Sequence, residues 1–91
     1  MNEELKKLRS KIDNLDKHLI NKLNERAELA KAIKTIKDKI GDTDIFKPSR
    51  EAQILKNLEN LNKGPLSTRH LQSIYREIMS ACLSLEKKLK I

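Results

Sequence analysis

A chain of 91 residues with a formal net charge of +7, 36% charged and only 2% aromatic side chains, two Gly and two Pro excludes several classes at once. Such a composition suits an all-α domain spanning residues 1–91 rather than a sheet protein or a disordered tail. No apolar run approaches the roughly 20 residues of a membrane span, and the first residues are charged where a secretory signal would be apolar. A cytoplasmic chain with no membrane partner is therefore expected. The single cysteine, Cys82, cannot close an intrachain disulfide, which fits a reducing compartment.

The first element is a long helix over about residues 3–40. Leu5, Leu8, Ile12, Leu15, Leu19, Ala30, Ile33 and Ile40 recur at steps that form one helical face, with no Gly or Pro between. At about 1.5 Å per residue the helix runs roughly 57 Å, nearly twice the width of so small a domain. The remaining residues supply too little apolar surface to cover both of its ends, so an intertwined homodimer with paired long helices is expected. Arg26 and Lys37 interrupt the stripe on the apolar face, and eleven residues at about 100° each return Lys37 to within about 20° of Arg26. Two cations facing a core are costly and are usually kept because they meet an anion. The alternative is that both stems snorkel to solvent at the edge of the stripe.

Gly41-Asp-Thr-Asp44 ends this helix, and Pro48 opens a short one over about residues 48–62. Arg50, Glu51, Ile54, Leu55, Leu58 and Leu61 carry it to the stop signal Asn62-Lys-Gly-Pro65. Ser67 is a candidate N-cap for a medium helix over about residues 68–89. That helix is expected to bury Leu71, Ile74, Ile78, Cys82, Leu85 and Leu89, and Cys82 shares a face with Glu86. The basic residues are spread over all three helices among Glu and Asp, and stacking aromatics beyond Phe46 and Tyr75 are absent. A small anionic ligand accounts for the stripe cations better than nucleic acid does, because a polyanion is met on an exposed face. His18 and His70 lack any metal-ligand pattern and read as surface residues, so no metal or cofactor is expected.

Arg9, Arg26 seventeen residues on, Lys37 eleven further, then Pro48-Ser-Arg50-Glu51 and Ile78-Met-Ser-Ala-Cys-Leu-Ser-Leu-Glu86 resemble, as a set, the all-helical class of chorismate mutase. The segment from Phe46 to Glu86, with Leu61-Asn-Lys-Gly-Pro-Leu66 and Arg76-Glu-Ile-Met79, is most similar to the N-terminal domain of bifunctional chorismate mutase/prephenate dehydratase proteins. The resemblance implies a homodimer with two sites, each built from both chains, that converts chorismate to prephenate in phenylalanine and tyrosine biosynthesis. It implies that Arg26 and the partner's Arg9 grip the two carboxylates, and that Lys37 reaches a carboxylate and the ether oxygen. It further implies that Glu51 accepts the substrate hydroxyl, Cys82 lies beside a carboxylate, Glu86 faces the ether oxygen and Arg50 supports the wall. A pericyclic rearrangement needs no nucleophile, metal or obligatory proton transfer, only a held conformation and a stabilised ether oxygen.

Three positions depart from the commonest family pattern. Lys47 stands where relatives often carry Asp as a helix cap, so a weaker cap with contact through the Lys47 backbone is expected. Cys82 replaces a hydroxyl residue and reads first as a small apolar packer. Glu86 replaces a neutral amide donor in several relatives, and an ionised carboxylate would repel charge on the ether oxygen, so it assists only as the neutral acid. The alternatives are a basic coiled-coil dimer binding nucleic acid or protein, or a weakly active mutase-like domain regulating a fused enzyme. The former expects Arg26 and Lys37 exposed; the enzyme expects them enclosed beside Glu51 and Glu86. An excised domain of a protein with a fused prephenate dehydratase and a free-standing relative both stay open.

Overall fold

The computed structural model describes residues 2–44 and 46–88 and consists of three helices, α1 (Glu3–Lys39), α2 (Pro48–Leu61) and α3 (Thr68–Lys88). The order long, short, medium is the one expected, and no described helix is long and apolar enough to cross a membrane. Each boundary has a local cause. At the end of α1, Gly41 adopts φ +77°, its N–H donates to Asp38 O at 3.3 Å and the Asp42 N–H donates to Lys37 O at 2.8 Å. This double closure needs a left-handed residue at the position of Gly41, which a Cβ would strain. Pro48 starts α2 behind Lys47, which caps with its carbonyl to Glu51 N–H (3.1 Å) and without its side chain.

Asn62 organises the α2–α3 turn. Its side-chain amide donates to Leu66 O (2.8 Å) and Thr68 Oγ1 (3.1 Å) while its Oδ1 accepts Gly64 N–H at 2.9 Å. Ser67 then caps α3 as expected, its Oγ accepting the His70 N–H at 3.1 Å. Both His18 and His70 are exposed, matching their surface reading.

α3 packs against both α1 and α2, and Gln72 Nε2 ties it to Leu55 O of α2 at 3.2 Å. The assembly measures 60 × 27 × 15 Å with a radius of gyration of 16.9 Å. A compact chain of this length would have a radius of about 12 Å. The excess comes from α1, whose residues up to Glu25 are all exposed, including Leu5, Leu8, Ile12, Leu15 (65%) and Leu19. Among the described residues Leu58 is the one large apolar side chain that is buried, at 7% exposure.

One expected core position is corrected. Ile74 is exposed, because a periodic apolar face tells which way a residue points and not whether another element arrives to cover it. Leu71, Ile78, Cys82 and Leu85 are half-buried, and Leu89 lies outside the described residues. One burial was not anticipated. Lys34 is only 3% exposed and pairs with Asp38 one turn on.

Candidate active site

A cavity of about 340 Å³ opens where the C-terminal half of α1, the start of α2 and the end of α3 converge. α1 contributes Arg26, Leu29, Ala30, Ile33 and Lys37, in the spacing that puts every third or fourth residue on one face. Phe46 and Lys47 enter from the loop, and Arg50, Glu51 and Ile54 from the first two turns of α2. Met79, Cys82, Leu83 and Glu86 line the opposite wall, again one face of a helix. Of the eight residues singled out in sequence, seven meet in this cavity; Arg9 does not.

Arg9 is exposed and lies seventeen residues before Arg26, which along a helix is roughly 25 Å. It cannot reach the cavity of its own chain. Arg26 and Lys37 are both half-buried, and both line the cavity. Arg26 Nη1 donates to Cys82 Sγ at 3.6 Å, which links α1 to α3 across the cavity. Lys37 Nζ donates to Asp44 O at 2.6 Å. An ammonium has three donors, so one carbonyl leaves two for a ligand.

Glu86 is 8% exposed, and among the described residues it forms no ion pair; Glu51 is half-buried and likewise forms none. Both carboxyl groups border the cavity. Arg50 borders it as well, with its Nη1 donating to Gln53 Oε1 at 2.7 Å on the same helix. Lys47 turns its Nζ to Asp42 Oδ2 (3.2 Å) and Asp44 Oδ2 (3.8 Å), leaving its backbone nearest the start of α2. The cavity therefore offers cations and acceptors set among aliphatic side chains, a surface that suits a small dianion with an apolar ring.

Phe46 and Met79 line the cavity and were not singled out from sequence. Met79 had a signal, since Met79, Cys82, Leu83 and Glu86 follow the helical spacing of 3, 4 and 7. Phe46 sits in an irregular segment where no periodicity tells inside from outside.

An extended three-helix scaffold with a cation-bearing pocket for a small anion is the class of molecule these features define. Residues 8–87 match the family model for chorismate mutase type II, and the chain belongs to that family. It is 50% identical to a bifunctional chorismate mutase/prephenate dehydratase of Aquifex aeolicus and 42% identical to one of Pseudomonas aeruginosa, with 98% of this chain aligned in each case. The chain spans about a quarter of the length of these curated relatives, 25% and 26% respectively. A solved chorismate mutase from Thermus thermophilus superposes with a TM-score of 0.89 at 28% identity, over 93% of this chain and 96% of that one.

Proposed function

We propose that the cavity binds chorismate and that its reaction is completed by a second copy of the chain. Arg26 takes one carboxylate and Arg9 of the partner subunit the other, while Lys37 spans a carboxylate and the ether oxygen. Glu51 and the Lys47 backbone receive the hydroxyl, Cys82 lies beside a carboxylate, Glu86 faces the ether oxygen and Arg50 supports the wall. Holding the substrate in its compact reactive shape removes the entropy of finding that shape. Donors aimed at the ether oxygen, where negative charge grows, lower the barrier further.

What carries this reading is the convergence of Arg26, Lys37, Glu51, Cys82 and Glu86, from three helices, on one cavity of about 340 Å³. Arg9 enters only if another copy delivers it, and the exposed stripe supports such a copy. Burying a Leu or Ile side chain stabilises by about 1.5–3 kcal/mol. Leu5, Leu8, Ile12, Leu15 and Leu19 therefore leave on the order of 10 kcal/mol unused in one chain. A groove of about 470 Å³ between α1 and α3, lined by Leu23, Ala27, Ile74, Ile78 and Ala81, is suited to receive such a stripe.

By analogy with the bifunctional relatives, the prephenate formed here is passed to a prephenate dehydratase activity, on the same polypeptide or a separate one. Purified protein should consume chorismate, followed by its absorbance, at a rate that scales with enzyme concentration. A preparation that is folded and leaves chorismate at the uncatalysed rate would sink the assignment.

A further inference from the structure

We propose that Asp42 is a positioning residue that sets where the Lys37 ammonium sits in the cavity. It deepens the reading above and rests on the assignment of Lys37 to substrate contact. Asp42 holds three points of the loop between α1 and α2. Its own N–H donates to Lys37 O at 2.8 Å, its Oδ1 accepts the Asp44 N–H at 3.0 Å and its Oδ2 pairs with Lys47 Nζ at 3.2 Å. Asp44 in turn offers its carbonyl to Lys37 Nζ at 2.6 Å. The circuit runs from the Lys37 backbone through Asp42 to Asp44 and back to the Lys37 side chain, so the Asp42 carboxylate holds the amide of the residue whose carbonyl anchors the ammonium.

Two physical points support this role. A lysine stem has four rotatable bonds, and a fixed carbonyl acceptor that uses one of three N–H donors selects a rotamer while leaving two donors for the substrate. The same carboxylate draws the Lys47 amine toward the loop, so a second mobile cation does not compete for the substrate carboxylates. The Asp44 amide and then the Lys47 ammonium hold the Asp42 carboxyl below its ordinary value of 3.8. The brace is therefore fully charged at neutral pH.

The experiment compares Asp42→Ala and Asp42→Asn with the wild type by steady-state kinetics, circular dichroism and exchange of the Asp44 amide. Asn keeps an oxygen for the Asp44 N–H and loses only the exposed pair with Lys47, a change of about fivefold at most. Ala loses both, and kcat should fall about 10- to 100-fold with helical content unchanged, as expected when a group is displaced from its productive position. Asp44 amide protection should be lost in Ala and kept in Asn. Wild-type kcat in Asp42→Ala, or equal losses in both variants, overturns the proposal. If the wild type itself does not turn over chorismate, the functional reading fails separately, and an Asp44 amide equally protected in Ala and wild type overturns the brace without reference to activity.

Discussion

Arg26 Nη1 and Cys82 Sγ are 3.6 Å apart, so the guanidinium on α1 is steadied by a thiol on α3 fifty-six residues away. Sulfur is a weak acceptor, and this contact orients the cation without neutralising it. Cys82→Ser supplies a stronger acceptor of nearly the same size and should leave kcat/KM at or above the wild-type value. Cys82→Ala removes the acceptor and should cost about 1 kcal/mol, or about fivefold in kcat/KM. Identical kinetics for all three proteins would show that the sulfur only fills space.

Arg26→Ala and Lys37→Ala should each abolish most mutase activity while the helices remain. Each deletes a cation from a half-buried wall of the cavity. Loss of one electrostatic donor of this kind costs roughly 3–4 kcal/mol of barrier, a rate loss of a few hundredfold. Near-normal turnover in either variant would remove that residue from the site, and loss of helical content would make its role structural.

The helices were legible in the sequence because their ends are chemically marked. Gly41, Pro48, the Asn62 to Pro65 stretch and Ser67 stand at the observed boundaries for the backbone reasons that make them punctuation. Arg26 and Lys37 were legible because a charge in an apolar stripe breaks a pattern. Lys34 breaks none, since lysine beside Ile33 looks like an ordinary surface position; its burial depends on tertiary neighbours that no local period encodes. Asp42 was hidden for a related reason. An Asp/Thr cluster after a helix reads as a generic turn, and the Asp42 pairing with Lys47 is set by how the loop folds back.

A site shared between two chains has a signature in mixed dimers. Arg9 and Arg26 lie roughly 25 Å apart along α1, so each cavity should draw them from different copies. Mixing an inactive Arg9→Ala protein with an inactive Arg26→Ala protein should yield heterodimers holding one doubly damaged site and one intact site. Activity should reappear, up to about half of the wild-type value per heterodimer. No recovery after exchange of subunits has been verified by mass would mean that Arg9 does not complete the partner's site.

Glu86 gives the sharpest test of how the ether oxygen is treated. It borders the cavity at 8% exposure with no ion-pair partner among the described residues, so little water is available to screen whatever charge it carries. A carboxylate there opposes the negative charge that grows on the ether oxygen, whereas the neutral acid can donate a hydrogen bond to it. A donor is therefore what this position needs. Glu86→Gln keeps the shape and always supplies an N–H donor, so its kcat should match or exceed the wild-type value. Glu86→Ala removes the donor altogether and should be slow. A kcat unaltered by both substitutions would leave Lys37 as the donor to the ether oxygen and Glu86 as a wall residue.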